Sequence, residues 1–207
     1  MIEKFKTIYK HAQEELIEKK SRFIGQASPV EAEAGALEFI ESVRKKHYNA
    51  SHTVFAYIIG HSDYCRYSDD GEPSGTAGMP ILNMLKSEPL TNIAVTVTRY
   101  FGGTLLGTGG LARAYQAAAK QAVNSAGIIE KALYQKISIA CGYDLSGKIK
   151  YNILENENII LDTIYTGLVE YIVLAKISET GQFLELIRDL SSGTIKPTIL
   201  EQVWRVT

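Results

Sequence analysis

The sequence predicts a two-domain α+β protein, and three observations support that fold class. The chain has 207 residues, more than one small domain usually needs. Strand-like runs rich in β-branched residues alternate with amphipathic helical segments. After residue 130 the segments follow the order βαββαβ, which is typical of a ferredoxin-like domain. We therefore expect an N-terminal α+β domain over residues 1–132 and a ferredoxin-like domain over residues 133–207.

The N-terminal domain begins with strand-like sequence over residues 14–29. Residues 31–47 then repeat apolar side chains at helical spacing, begin acidic and end basic, which complements a helix dipole. Residues 51–60 form a β-rich run, and residues 61–67 turn the chain into a second strand. Residues 77–87 predict a short helix that tolerates a proline in its first turn.

The centre of this domain is a buried strand followed by a helix. Residues 92–101, NIAVTVTRYF, are β-branched and almost continuously apolar, so the strand should be central and covered on both faces. Residues 111–127 predict a helix that ends at Gly127. Its apolar face comprises Leu111, Tyr115, Ala118 and Ala122.

The C-terminal domain alternates strands and helices in the ferredoxin-like order. Strands are predicted over residues 132–141, 158–167, 168–177 and 197–207, and helices over residues 144–157 and 180–193. Asp144 or Ser146 is expected to open the first of these helices.

Composition and charge exclude several classes of protein. The chain is 45% hydrophobic and 22% charged, as in ordinary globular proteins, and its net charge of −1 means that nucleic-acid binding would need a local basic patch. No signal-peptide core and no membrane-length apolar run is present, and Cys65 and Cys141 are too far apart for a cysteine motif. We expect a cytoplasmic protein with no membrane partner.

A glycine-rich segment, RYFGGTLLGTGGLARAY, follows the buried strand. Its glycines would let a backbone approach a ligand closely, while free N–H groups and the helix dipole favour an anion. Arg99 and Arg113 could converge there on a phosphate or carboxylate. The alternative is a tight turn that only packs the helix. A Rossmann motif is weak, and a P-loop is excluded because Gly109 stands where lysine is required. The five glycines are Gly102, Gly103, Gly107, Gly109 and Gly110.

An acidic segment, SDDGEPSGTAG, contains Asp69, Asp70 and Glu72. Ser74 or Thr76 could cap the following helix, and the glycines, which include Gly75 and Gly78, expose backbone donors. Three interpretations remain open: the carboxylates bind a metal, they pair with the two arginines, or they form a solvated turn. We favour the arginine pairs.

The remaining histidines, aromatic residues and basic stretches are first interpreted as structural. His47 and His52 could assist a metal, but isolated histidines more often pack or cap. Nothing supplies an evident catalytic nucleophile. Tyr100, Phe101 and Tyr115 are interpreted as core residues, although a solvent-facing Tyr100 beside Arg99 would favour base stacking. The basic stretches KKSR and VRKKH are interpreted as solvated charge, with phosphate contact as the alternative.

Taken together, the motifs KKSRFIG, KKHYNASHTVFAYIIG, SDDGEPSGTAGMPIL and TRYFGGTLLGTGGLARAY resemble the YigZ/IMPACT family across essentially the whole chain. The resemblance implies an N-terminal domain similar to domain 2 of a small-subunit ribosomal protein. It implies a C-terminal domain similar to a ferredoxin-like domain of elongation factor G. The positions that match the family motifs are Ser21, Arg22, His52, residues 69–76, Gly78, residues 99–103, Gly107, Gly109, Gly110 and Arg113.

The resemblance also implies a role in translation, because eukaryotic IMPACT relatives regulate it and both similar domains work on RNA. We expect a non-catalytic protein without a cofactor that binds RNA, the ribosome or a translation-related protein. Arg99, Arg113, Arg22, Tyr100 and the loop glycines would contact phosphate. The alternative is a metal-dependent hydrolase or a phosphate-binding transferase that uses the acidic and glycine-rich segments.

Overall fold

The computed structural model describes residues 3–60 and 64–207, and these residues form two compact units. One unit comprises residues 5–130, and the other comprises residues 131–207 with residues 3 and 4. Both contain helices and strands, which confirms the α+β class and the two-domain organisation. The predicted turn over residues 61–63 lies outside the described residues.

The N-terminal unit is built on an antiparallel sheet in the order β2-β3-β6-β4-β5. The short strand β1 precedes this sheet in sequence and was not predicted. The elements up to residue 126 are β1 (Lys4–Ile8), β2 (Ala12–Glu18), β3 (Ser21–Pro29), α1 (Glu33–Lys46), β4 (His52–Ile59), β5 (Tyr64–Ser68), α2 (Gly78–Ser87), β6 (Ile93–Tyr100) and α3 (Thr108–Ala126).

Strand β6 is the central strand, as predicted, and residues 93–99 are all buried. Side chains alternate between the two faces of a strand. Val95 and Val97 therefore pack in the core under α2 and α3, whereas Ala94 belongs to a smaller core under α1. Since Arg99 continues the odd-numbered series, its side chain lies on the α2 and α3 face.

Helix α3 begins earlier than predicted. It starts at Thr108, so Gly109 and Gly110 belong to its first turn and Arg113 belongs to its second. Glycine is a poor helix former and is normally interpreted as loop, which explains the error. The predicted end at Gly127 is confirmed, with φ of +75° at that residue. The predicted apolar face is also confirmed, because Leu111, Tyr115, Ala118 and Ala122 are all buried.

The C-terminal unit has the predicted ferredoxin-like order, with strands arranged β10-β7-β9-β8 and every pair antiparallel. Ile149 and Ile153 of α4 and Phe183 and Ile187 of α5 pack into its core. The first helix begins at Tyr143 after Gly142, so neither Asp144 nor Ser146 is its cap. The elements are β7 (Ile128–Cys141), α4 (Tyr143–Glu155), β8 (Ile159–Tyr165), β9 (Val169–Lys176), a 3₁₀ turn (Ile177–Glu179), α5 (Thr180–Leu190) and β10 (Thr198–Val206).

Within the described part of the chain, no helix is both long enough and apolar enough to cross a membrane.

Candidate functional site

The acidic turn (residues 68–78) and the glycine bend (residues 101–110) come together at one end of the N-terminal sheet. Glu72 of the acidic turn accepts hydrogen bonds at Oε1 from Arg99 Nη1 at 2.6 Å and from the Tyr115 hydroxyl at 2.7 Å. Arg99 precedes the bend at the end of β6, and Tyr115 follows it in α3. The acidic turn therefore contacts both elements that flank the glycine bend.

We call His52, Glu72, Arg99 and Tyr115 the buried cluster. Arg99 and Glu72 are only 6% and 8% exposed, so their ion pair is shielded from water. Desolvation and the bond to Glu72 raise the pKa of Tyr115, which keeps its hydroxyl protonated as a donor. The predicted pairing of an acidic residue with Arg99 is thus present, and it is closed to solvent.

The burial of Arg99 changes the role expected for it. Its guanidinium carbon lies 5.5 Å from the centre of the Phe23 ring and 5.3 Å from that of Phe101. Its Nε is buried and has no hydrogen-bond partner among the described residues. With its charge paired to Glu72 and its surface covered, Arg99 is a poor phosphate contact, contrary to the expectation from sequence.

His52 is held in one tautomer by the acidic turn. Its Nδ1 lies 2.7 Å from the backbone carbonyl oxygen of Asp70, which can only accept, so Nδ1 carries the proton. Nε2 then faces Glu72 Oε1 at 3.9 Å. His52 is the cross-strand neighbour of Arg99. An oriented imidazole beside a buried carboxylate is an arrangement that could transfer a proton.

Asp69 supports the start of α2. Its carboxylate accepts hydrogen bonds from the backbone N–H groups of Gly75, Ala77 and Gly78 at 2.8–3.1 Å. Ser74 or Thr76 was expected to cap this helix, but the Thr76 hydroxyl donates to the Pro73 carbonyl instead. A carboxylate reaches several amides at once because it has two acceptor oxygens, which a hydroxyl lacks.

Asp70 fastens the acidic turn to β4 and α1. Its carboxylate accepts the Thr53 backbone N–H at 2.6 Å and lies 3.3 Å from Arg44 Nη2. In the described ranges 3–60 and 64–207, no three His, Cys, Asp or Glu side chains are placed to hold a metal ion. Asp69 and Asp70 therefore direct their oxygens toward the protein's own backbone and Arg44.

The glycine bend packs tightly against the turn between β2 and β3. A Cβ on Gly102 would collide with the backbone of Lys20, so only glycine allows this approach. Gly102 N–H donates to Ser21 Oγ at 3.1 Å. Gly103 and Gly107 have φ of +82° and +74°, a conformation that glycine adopts without strain.

Arg113 does not converge with Arg99. It is exposed and lines a separate cavity of about 330 Å³ together with Lys19, Gly110 and the apolar side chains of Leu16 and Leu106. No ion pair of Arg113 is present among the described residues. The predicted pair of converging arginines is therefore incorrect, because Arg99 points into the core and Arg113 points to solvent.

Lys19 and Lys20 form the two-residue turn between β2 and β3, with φ of +44° and +69°. Such turns favour Asn-Gly, because most side chains are strained at positive φ. From the sequence alone these lysines are interpreted as solvated charge. The signal that identifies them is the exact two-residue gap between two strand-like runs. We call Lys19, Lys20, Arg22 and Arg113 the cationic rim.

Tyr100 and His47 lie on the opposite face of the sheet from Arg99. The guanidinium carbon of Arg22 lies 5.3 Å from the Tyr100 ring centre, and Arg22 also pairs with Glu15. His47 Nδ1 is 3.0 Å from the Tyr100 hydroxyl, which donates to Asn49. Burial, with Lys46 and Arg22 nearby, lowers the pKa of His47. His47 and His52, which were considered together as possible metal ligands, thus have different partners, Tyr100 and Asp70.

Comparison with known proteins agrees with the motifs. Residues 19–123 match the Impact N-terminal domain, and residues 139–194 match a domain of unknown function, DUF1949. IMPACT family member YvyE of Bacillus subtilis (strain 168) is 38% identical over 194 residues, which are 93% of this chain and 89% of YvyE. IMPACT family member YigZ of Escherichia coli (strain K12) is 33% identical over 187 residues, covering 89% and 92%. A crystal structure of an hypothetical protein aligns with a TM-score of 0.63 and 30% identity, covering 97% of this chain and 99% of that one.

Proposed function

The chain belongs to the IMPACT family, and from this premise we propose that it binds RNA, alone or in the ribosome, through the cationic rim and acts in translational control. The support for RNA is electrostatic. Proteins that bind nucleic acid use Lys and Arg to neutralise phosphates, and this term supplies most non-specific affinity. A chain with a net charge of −1 needs a local concentration of positive charge for this purpose.

The observation that carries the proposal is that the carboxylates of the acidic turn bind groups of the protein itself. Asp69, Asp70 and Glu72 are bound to backbone amides, Arg44 and Arg99. They therefore do not neutralise the cationic rim.

Three rim residues, Lys19, Lys20 and Arg113, are exposed and form no ion pair with a described residue. The fourth, Arg22, forms a solvent-exposed ion pair with Glu15, with Nη2 2.8 Å from Oε2. The acidic residues beside the rim are Glu15, which pairs with Arg22, and Glu18, which lines the cavity with Lys19 and Arg113.

Backbone donors of α3 add to this surface. The first N–H groups of a helix have no partner within the helix, and they carry the positive end of its dipole. Here those groups belong to Thr108, Gly109 and Gly110, and Gly109 has no side chain to cover them. Arg113 lies one turn further along the same helix and lines a cavity with Gly110. These amides add hydrogen-bond donors to the positive charges of the cationic rim.

The direct test is binding of a short unstructured RNA oligonucleotide at low salt, measured by fluorescence anisotropy. The double variant Lys20→Gln, Arg113→Gln should bind roughly tenfold more weakly or worse, because two phosphate contacts are lost. Lys10→Gln is the matched control, since Lys10 is also exposed but lies beyond the opposite end of β2. Absence of RNA binding by the unaltered protein would refute the proposal.

The translational part of the proposal has a separate test. The protein should co-sediment with ribosomes, and the Lys20→Gln, Arg113→Gln protein should not, whereas Lys10→Gln should behave as the unaltered protein. Co-sedimentation that persists in the double variant, or that survives nuclease digestion of the RNA, would indicate a protein partner instead of RNA.

A second candidate function is hydrolysis or phosphoryl transfer by the buried cluster. The specific observation that favours it is the fixed tautomer of His52, whose Nε2 faces Glu72. If this candidate is correct, the protein turns over a chromogenic phosphate ester or carboxylic ester, and His52→Gln abolishes the turnover. A lack of turnover, or turnover that is unchanged in His52→Gln, would remove it.

A further inference from the structure

Phe101 differs from the core aromatic residue that its sequence suggests. The residue is 49% exposed, although it directly follows a strand in which residues 93–99 are buried. The other side of the ring is covered by the guanidinium of Arg99, at 5.3 Å from the ring centre, and Arg99 in turn lies against Phe23. The three side chains form a stack that begins in the core and ends at the surface.

This stack is held from several directions. The Arg99 guanidinium is fixed by its bond to Glu72 at 2.6 Å. The Phe101 backbone N–H donates to Ser51 Oγ at 3.2 Å, and the next N–H along the chain, that of Gly102, donates to Ser21 Oγ at 3.1 Å. A ring that is already oriented loses little conformational freedom when a ligand covers its open face.

The open ring lies beside the cationic rim. Gly102, the residue after Phe101, contacts the backbone of Lys20 so closely that any side chain at Gly102 would collide with it. Arg22 is the cross-strand partner of Tyr100, the residue before Phe101. Lys20 is therefore the rim residue beside Phe101, whereas Arg22 lies over Tyr100 on the opposite face of the sheet.

We propose that Phe101 is a stacking platform for an unpaired nucleobase, so that the rim selects single-stranded over double-stranded RNA. The proposal rests on the proposed RNA-binding function and adds the substrate class to it. Aromatic side chains stack on splayed bases in single-stranded RNA, whereas bases within a duplex are already stacked on one another. Arg99 then acts as a positioning residue that holds the ring, since it is too buried to touch RNA itself.

The test compares affinities for single-stranded and double-stranded RNA of the same sequence. Phe101→Leu should weaken binding of the single strand roughly tenfold, because a stacked base is lost, and should leave duplex binding unchanged. Phe101→Tyr should retain the preference. Tyr151→Leu is the matched control, since Tyr151 is an exposed aromatic residue of the C-terminal unit.

A spectroscopic measurement separates stacking from a merely structural role. In Phe101→Trp, single-stranded RNA should quench the fluorescence of the new tryptophan, and the unaltered protein reports any contribution of Trp204. Absence of quenching, or a Phe101→Leu protein with unchanged strand preference, would overturn the stacking proposal while leaving RNA binding by the rim intact. A parent protein that binds neither RNA would overturn both proposals.

Discussion

Two arginine–glutamate pairs lie on adjacent rows of the same sheet and have different consequences. Arg99 pairs with Glu72 inside the buried cluster, whereas Arg22 pairs with Glu15 on the surface. In the sheet register Arg99 is opposite Phe23, and Arg22 is opposite Tyr100, so the two arginines project from opposite faces. The buried pair lies in the conspicuous acidic and glycine-rich motifs, while the exposed pair joins Arg22 of the less conspicuous stretch KKSR to Glu15 of β2.

The comparison teaches that a dense motif need not be the surface that binds. A buried charge must be paired and hydrogen-bonded, so the residues that achieve this are specified closely. The acidic turn supplies Glu72 to Arg99 and Asp69 to α2, and both tasks are internal. Of the exposed charges beside it, Arg22 pairs with Glu15, whereas Lys19, Lys20 and Arg113 form no ion pair with a described residue and remain available to a ligand. Four predictions follow from this contrast, beginning with the largest expected effect.

Glu72→Ala should lower the free energy of unfolding by about 3–5 kcal/mol, because it leaves Arg99 buried without its partner. Glu72→Gln should cost less, since an amide oxygen can still accept from Tyr115. Urea denaturation followed by circular dichroism measures the change. Glu15→Ala is the matched control at an exposed pair and should cost far less, because water screens that pair. Equal decreases in the free energy of unfolding of Glu72→Ala and Glu15→Ala would contradict the difference between the buried and the exposed pair.

Asp69→Ala should lower stability by about 1–3 kcal/mol, since the backbone N–H groups of Gly75 in the acidic turn and of Ala77 and Gly78 at the start of α2 lose their acceptor. Asp69→Asn should retain part of the stabilisation through its amide oxygen. The same denaturation measurement applies, and RNA affinity should be unchanged in both folded variants. An Asp69→Ala protein of unaltered stability would show that the observed hydrogen bonds contribute little.

Lys19→Asn, Lys20→Gly should raise stability by about 1–2 kcal/mol, because Asn-Gly suits two consecutive residues at positive φ. The same change removes two rim charges and should weaken RNA binding. If the variant is more stable but binds RNA more weakly, the lysines contribute to RNA binding at the expense of backbone strain in the turn. Thermal unfolding and RNA anisotropy on the same samples measure both quantities. Loss of stability together with loss of affinity would contradict this explanation.

The smallest effect concerns pH. The pKa of His47 is lowered from its ordinary 6.5, chiefly by burial and then by Lys46 and Arg22. The folded state therefore binds the proton less readily than the unfolded state. Its contribution to stability is present above about pH 6.5 and is lost as the pH falls through the folded-state pKa. His47→Gln should make the acid limb of a stability–pH profile shallower, and an unchanged limb would argue against this contribution.

The sequence predicted the elements better than the site. The central position of β6 followed from its continuous apolar character, and the ferredoxin-like order followed from segment type alone. The start of α3 was missed because Gly109 and Gly110 resemble loop. Pairing of the acidic segment with Arg99 was predicted, but that Glu72 is the partner and that the pair is buried depend on tertiary structure.

The rim was missed for a different reason. Lys19 and Lys20 lack the residue types usual in a two-residue hairpin turn, so only the two-residue gap between the strand-like runs indicates the turn. Phe101 resembled the end of a buried strand, but it follows the last residue of β6 and is 49% exposed. Residues that break a local rule are where function is most often found, because they are not explained by the fold.

The salt dependence of RNA binding tests the central claim most directly. For single strands the slope of log affinity against log salt is about −0.7 for each phosphate contact, so Lys19→Gln, Lys20→Gln, Arg113→Gln should make the slope shallower by about 2. Glu72→Gln, which leaves the rim intact, should retain the slope of the unaltered protein. A slope that is flat, or that is the same in the triple variant, would contradict the assignment of RNA binding to the rim.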